Sequence, residues 1–164
     1  MRRKYTKQDF LNTVSRLKKA SPSFTFTTDV IFGFPGEDEH EFQQTLSLIQ
    51  QVKFAKVHFF PYSDRPKTRA SRMPGKICPK VMNERKQQLQ KVADETAFRT
   101  RDEYVGKTVD VLLESQGKTN PKYLMGHTDN FLPVLVPKNG RRTNDLVSIV
   151  CKENTLEGLV AHGD

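Results

Sequence analysis

Cysteine is scarce in this sequence: only Cys78 and Cys151 occur in 164 residues, far apart in the chain. There is no Cys-x-x-Cys pair and no His/Cys run with metal-ligand spacing, so a disulfide framework is not expected. An iron–sulfur centre needs three or four thiolates, more than this chain holds. The expectation is two reduced thiols and no metal ligand. Long apolar runs are missing too, and none approaches the ~18 residues of a membrane span. Met1-Arg2-Arg3-Lys4-Tyr5 is basic, but no apolar stretch follows it. That start is not a signal peptide, and a cytoplasmic protein without a membrane partner is expected. No internal repeat is visible.

What is present is positive charge, unevenly spread. The net charge is +8. Residues 1–20 hold seven Lys/Arg against one Asp, and residues 64–91 hold nine against two acids. Residues 29–51 hold five acids and no base, and residues 102–164 are slightly acidic at seven against nine. Clustered Lys/Arg draw in polyanions such as RNA, although many such residues only solvate helix faces. On charge alone the near-neutral tail would bind RNA weakly, and help from the basic 65–91 stretch would be needed.

Hydrophobic periodicity divides the chain in two. Thr6 with Asp9 forms a capping-box-like start, and Phe10, Val14 and Leu17 repeat at helical spacing up to Pro22. Residues 24–34 are β-branched and aromatic, and their continuous apolar second half reads as a parallel strand covered on both faces. Pro35-Gly36 ends that strand. Asp38 with Glu41 caps a helix whose stripe is Phe42, Leu46 and Ile49, and a second strand runs from Phe54 to Phe60. Strand, helix, strand is a βαβ unit with a right-handed crossover. After a Pro/Arg/Lys-rich loop, Pro79 opens a long helix to about Tyr104, with Val81, Leu89, Val92 and Thr96 as its apolar stripe. Beyond Gly106 come five short strands: Thr108–Glu114, Lys122–Thr128, Phe131–Val136, Leu146–Val150 and Leu156–Ala161. Five strands in so short a segment suggest a small closed barrel on the scale of OB-type nucleic-acid modules. The expected organisation is therefore residues 1–78 as an α/β part, 79–104 as a bridging helix and 105–164 as a β-barrel.

Two constellations carry chemistry. The first is Asp29-Val30-Ile31-Phe32-Gly33-Phe34-Pro35-Gly36-Glu37, at the carboxyl end of a parallel strand where ligands bind such sheets. Gly33 and Gly36 would let a cofactor approach the backbone, Pro35 stiffens the turn, and Glu37 sits beside the free N–H groups of the next helix. A well-made β–α turn with no ligand fits the same residues. The second is Phe59-Phe60-Pro61-Tyr62-Ser63-Asp64-Arg65-Pro66-Lys67-Thr68, at the end of the adjacent strand. Tyr62 and Ser63 offer a stacking face and polar atoms, and Arg65 offers a positive fork. A third set lies in the tail: Lys118, Lys122, Tyr123, His127 and Phe131, with Lys138, Arg141 and Arg142 around Asn139-Gly140. Loop cations with barrel aromatics suit single-stranded RNA. The competing reading makes Tyr123 and Phe131 core residues, and Phe131 is expected to face inward.

Thr28 to Glu37 together with Phe60-Pro61-Tyr62-Ser63, Arg65 and Thr68 resemble the paired late-barrel signatures of the radical-SAM tRNA methylthiotransferases. Their order and spacing resemble the MiaB/MtaB type, in the branch acting on threonylcarbamoyladenosine. Met1, Arg3, Tyr5 and Thr6 resemble that family's Met-x-Arg-x-Tyr-Thr element, and the tail resembles its TRAM domain, a small RNA-binding barrel. The resemblance implies the C-terminal part of such an enzyme: the last βα units of a partial TIM-like radical-SAM barrel, then an all-β TRAM/OB-like barrel. It implies S-adenosylmethionine (SAM) and 4Fe-4S clusters as cofactors, the tRNA anticodon region as partner, and insertion of a methylthio group into the modified adenosine. Carried over, Arg3, Asp29, Ile31, Gly33, Pro35, Glu37, Phe60, Tyr62 and Ser63 fall on the SAM side. Arg65, Lys67, Lys118, Lys122, Tyr123, His127, Lys138, Arg141 and Arg142 fall on the RNA side. None is a proton-transfer catalyst, because the cofactors carry the radical chemistry and the protein orients them.

This sequence departs from the family pattern at several points. The Cys-x-x-x-Cys-x-x-Cys motif and the domain holding the second cluster are missing, so the chain alone is expected to bind no cluster and transfer no methylthio group. The absent segments of the same enzyme are its implied partners. Lys67 stands where members commonly have Gly, and Gly126-His127-Thr128 where they often have Gly-Tyr-Thr. The alternative is a free-standing, non-enzymatic RNA-binding module, weakened by the open strand edges that half a barrel would expose.

Overall fold

The computed structural model describes residues 4–117 and 119–162. The elements, in order, are α1 (Lys7–Ala20), β1 (Thr27–Phe32), α2 (Glu39–Val52), β2 (Lys56–Pro61), α3 (Pro79–Asp102), β3 (Thr108–Gln116), β4 (Tyr123–Thr128), β5 (Pro133–Pro137), β6 (Leu146–Asn154) and β7 (Leu159–Ala161). The architecture is α/β followed by a closed five-strand barrel, as the sequence leads one to expect. Both helix starts are formed as read: Thr6 and Asp9 cap α1 reciprocally, and Asp38 and Glu41 do the same for α2.

Two compact units divide the chain, one from Thr27 to Thr100 and the other joining the residues up to Phe26 with those from Arg101 onward. In the first, β1 and β2 pair in parallel, Thr27 with Lys56 through Phe32 with Pro61. Its core gathers Phe32, Phe42, Leu46, Ile49, Val57, Leu89 and Ala93. Only one face of this two-stranded sheet contributes to that core. Along β1 exposure alternates, with Thr27, Asp29 and Ile31 open, and along β2 Lys56, His58 and Phe60 are open. Coverage on both faces is therefore not found in this chain. The apolar run at residues 30–32 has Ile31 facing outward, because alternate side chains of a strand point to opposite faces.

The first strand is also shorter than its composition suggests. Residues 24–26 stay out of the sheet, and the chain at Ser23 and Thr25 is tied within the barrel unit instead. The Thr25 hydroxyl donates to the carbonyl of Asn130, and the Asn130 amide donates to the carbonyl of Ser23 at 3.1 Å.

The barrel closes in the order β3-β4-β5-β7-β6. All its ladders are antiparallel except β5 with β7. Val111, Leu113, Leu124, Leu132, Val134, Val136, Ile149 and Leu159 fill it. β3 and β4 approach so closely that a Cβ on Gly126 would meet the backbone oxygen of Leu112. No other residue fits there without moving the ladder.

Along α3 the buried positions are Arg85, Leu89, Ala93, Thr96 and Thr100, a continuous helical stripe, and Arg101 at its end. Its second half matches the apolar stripe expected from Leu89 and Thr96. In its first half a charged residue takes the place between Val81 and Leu89.

Candidate functional site

The site in the first unit is built from two strand ends and the loops that leave them. The parallel register sets Asp29 beside His58 and Ile31 beside Phe60. Ile31 is 45% exposed and Phe60 52%, so two large apolar side chains stand together on an uncovered sheet face. Ser63 is exposed just beyond, and Tyr62 is half-buried. Tyr62 is held at the rim by its N–H, which donates to the Phe32 carbonyl at 2.8 Å, and by its ring, edge-on to Phe34 with centroids 5.2 Å apart. Its hydroxyl donates to Asp64 at 2.9 Å, and Asp64 pairs with Lys76. Lys76, and then the Tyr62 hydroxyl, hold the Asp64 carboxyl below its ordinary range.

The loop after β1 is clamped from α3. Glu37 Oε2 accepts the Gly33 N–H at 2.6 Å and an Arg85 Nη1 hydrogen at 2.8 Å. Both Arg85 Nη atoms also reach the Glu37 carbonyl at 3.3 Å. Arg85 is 4% exposed and lies over the Phe42 ring at 4.9 Å, with Glu39 at 3.7 Å as a second carboxylate. Burial pushes the Glu37 carboxyl upward, against the pull of the Gly33 N–H and Arg85. Gly36 donates to the Gly75 carbonyl at 2.9 Å, tying this loop to the chain that follows β2.

The sequence-derived residues on the cofactor side thus separate into two sets. Asp29, Ile31 and Phe60 line the open face, Tyr62 and the exposed Ser63 follow just past the end of β2, and Gly33, Pro35 and Glu37 belong to the supporting loop. Gly33 has a φ of +71°, and the space its missing Cβ leaves is taken by the Met82 sulfur. Around Gly36 that space is open. Arg85 and Met82 were missed by sequence reading. Arg85 was detectable, since it falls four positions from both Val81 and Leu89 on one helix face. Arg3 lies outside the described residues, as does Lys118.

The cations and aromatics of the barrel also divide. Tyr123 pairs with Pro137 at one end of β4, where the Lys138 N–H donates to the Lys122 carbonyl at 2.8 Å and Arg141 Nη1 to the Pro137 carbonyl at 3.1 Å. His127 pairs with Pro133 at the other end, about 13 Å along the strand. Arg142 is exposed in the turn that its N–H closes on Asp145 at 2.7 Å. Arg65 and Lys67 are exposed in the loop of the first unit, Lys67 at a φ of 68°.

Phe131 overturns an expectation, for it faces out rather than in. It is 67% exposed, at a φ of 69°, and its ring stacks on His127 with centroids 5.1 Å apart and planes 28° from parallel. The Asp129-Asn130 turn reverses the chain here, and Leu132 takes the inward position at 0% exposure. His127 Nδ1 bonds Glu114 at 2.9 Å, which orients the ring. Leu112, opposite His127, and Leu146, opposite Leu112, extend this outer row at 45% and 72% exposure.

Among the described residues no group of three His, Cys, Asp or Glu is arranged to hold a metal, and no helix is long and apolar enough to cross a membrane. Cys78 is exposed and Cys151 is buried.

No protein-family model matches the chain. It is similar to the tRNA-2-methylthio-N(6)-dimethylallyladenosine synthase of Acetivibrio thermocellus, 40% identical over 163 residues, covering 98% of this chain and 34% of that protein. The corresponding synthase of Desulfitobacterium hafniense is 37% identical over 153 residues, covering 93% of this chain and 34% of that protein. The threonylcarbamoyladenosine tRNA methylthiotransferase MtaB of Chlamydia pneumoniae is 38% identical over 161 residues, covering 98% of this chain and 38% of that protein. The chain therefore spans little more than a third of the length of these relatives.

Proposed function

The chain belongs to the tRNA methylthiotransferase family as the counterpart of about a third of its members' length, and from that premise we propose that it works as the C-terminal part of such an enzyme. In this reading the first unit supplies one wall of the SAM site and the second, as a TRAM-type barrel, holds tRNA near the anticodon in the cytoplasm. The observation that carries it is the uncovered sheet face at the strand ends, where Ile31 and Phe60 stand side by side, with Asp29 on the same face and Ser63 exposed just past the end of β2. An apolar pair flanked by a few polar groups suits a nucleoside, which needs a flat apolar contact and hydrogen bonds at its edges.

The residues present fit SAM in part and do not fit a 4Fe-4S cluster. Ile31 and Phe60 would contact its adenosine, with Asp29 and Ser63 offering polar groups. Bound there, SAM would supply the methyl group and the radical-forming sulfonium of the family chemistry. The chain's own contribution is orientation: Glu37 and Arg85 fix the loop that continues from Ile31, and the Tyr62 N–H fixes the end of β2 against Phe32. Two cysteines cannot ligate a cluster, so the cluster-bearing segments are partners from elsewhere in the enzyme, and the chain by itself is inactive.

For the substrate we propose threonylcarbamoyladenosine, supported by the order and spacing of the two strand-end motifs. Relatives named for either modified adenosine match at comparable identity, so nucleoside analysis is the test. Disrupting this coding region and digesting total tRNA for mass spectrometry should abolish 2-methylthio-threonylcarbamoyladenosine and accumulate its unthiolated precursor. Loss of the dimethylallyl product instead would overturn the substrate assignment alone. Loss of neither would overturn the enzyme reading in favour of the non-enzymatic RNA-binding module.

A further inference from the structure

The basic N-terminal helix and the outward-facing aromatics of the barrel lie in one compact unit, although more than a hundred residues separate them in sequence. Residues 4–20 carry five Lys/Arg against one Asp. Arg16 and Lys19 are exposed and three positions apart, so they share a helix face. The chain leaving α1 is pinned to the turn that carries Phe131. Asn130 donates to the Ser23 carbonyl at 3.1 Å and to the Tyr104 hydroxyl at 2.7 Å, Tyr104 donates to the same carbonyl at 3.2 Å, and the Thr25 hydroxyl donates to the Asn130 carbonyl. Between Ser23 and Thr25 stands Phe24, 44% exposed, its ring 5.0 Å from that of Phe26, over which Lys18 lies at 5.7 Å.

The charge of the barrel unit changes accordingly. Residues 101–164 hold eight Lys/Arg against nine acids, whereas residues 1–26 hold seven against one, so the whole unit carries a formal +5. The positive charge joined to the barrel is thus its own N-terminal helix, not only the 65–91 stretch.

We propose that α1 and the Phe24, His127 and Phe131 rings form one single-stranded-RNA surface, with Arg16 and Lys19 contacting phosphates and Phe131 stacking on a base. This rests on the RNA-binding reading above and names the face that carries it. An exposed phenylalanine stacked on a histidine that a carboxylate orients is a preset platform. Every base has a π-face to lay on it, and neighbouring cations follow the backbone. Glu114 faces the same platform, but its carboxylate is engaged by His127.

The two contributions separate in one experiment on the purified 164-residue chain. Binding of a short single-stranded oligoadenylate, and of an RNA duplex of equal length, is measured across a salt series. Phe131→Ala should weaken single-strand binding roughly tenfold and leave the slope of log affinity against log salt unchanged. The pair Arg16→Gln and Lys19→Gln should lower that slope by about 1.4, which is about 0.7 for each phosphate no longer neutralised. Duplex binding should be insensitive to Phe131→Ala. Circular dichroism confirms that each variant is folded, which the exposure of all three residues favours. If wild type binds but neither variant changes binding, while Lys80→Gln with Lys86→Gln lowers the slope, this surface is wrong and the RNA-binding reading stands. If wild type binds neither RNA at low salt, the RNA-binding reading itself fails, and this surface with it.

Discussion

Replacing Arg85 with methionine should be the most damaging single change in the first unit. The guanidinium is 4% exposed and its partner Glu37 carboxylate 13% exposed, so the pair is shielded from water. Removing one member of a buried pair costs about 3–5 kcal/mol, because the remaining charge loses its compensation. Two features place the expected value near the lower end, at about 3 kcal/mol. Glu37 keeps the Gly33 N–H as a donor, and Arg85 Nε is already buried without a hydrogen-bond partner, a cost that methionine removes. Glu37→Gln keeps an acceptor for Gly33 but strands the guanidinium, which retains only the Glu37 carbonyl and the more distant Glu39. About 2 kcal/mol is expected for that change. The double variant should cost about 3 kcal/mol rather than the sum, a coupling of about 2 kcal/mol. Urea unfolding of the four proteins, followed by far-ultraviolet circular dichroism, completes the cycle, and amide exchange at Gly33 reports the loop directly. An Arg85→Met protein within about 0.5 kcal/mol of wild type, or single changes that simply add, would refute the clamp.

Lys67 holds a φ of 68° that a β-carbon disfavours; Lys67→Gly should raise stability by about 1 kcal/mol, read as a higher thermal midpoint, and a lower midpoint would count against it. Gly126→Ala drives a methyl into the Leu112 backbone oxygen and should destabilise the barrel by about 1–3 kcal/mol, seen as a lower midpoint and faster exchange of the β3–β4 amides. The Asp64 carboxyl is depressed by Lys76 and Tyr62, so its tie should be complete above the ordinary aspartate range and lost as pH falls through the lowered value. A carboxyl-carbon titration should show Asp64 moving toward the ordinary value in Lys76→Met, and an unmoved curve would deny the tie.

Where the fold was legible, local chemistry matched its tertiary use. Thr6 and Asp38 cap helices through side chains three positions away, and Asn130, Asn139 and Gly117 mark turns between strands whose alternation the barrel preserves. The misjudged residues are those whose partners lie far along the chain. Phe131 looks like core by composition, but a left-handed turn at that residue swings it outward and hands the interior to Leu132. Residues 24–26 look like strand, yet Thr25 and Ser23 bond to Asn130, over a hundred positions away. Arg85 entered the sequence reading only as one base of the 64–91 stretch, because nothing local announces that its partner is Glu37, 48 positions earlier. The strand-end motifs were visible as a pair on adjacent strands of the βαβ unit, but the register that seats Ile31 against Phe60 was not. That Glu37 would be engaged by Arg85 was not visible.

Whether this chain acts as one part of a longer tRNA methylthiotransferase is decided by the size of the native polypeptide that carries it. A blot of source cells with antibody against residues 107–164 should show a band far above the 18.8 kDa of these 164 residues. A single band at 18.8 kDa would contradict that role and leave the RNA-binding surface as the protein's function.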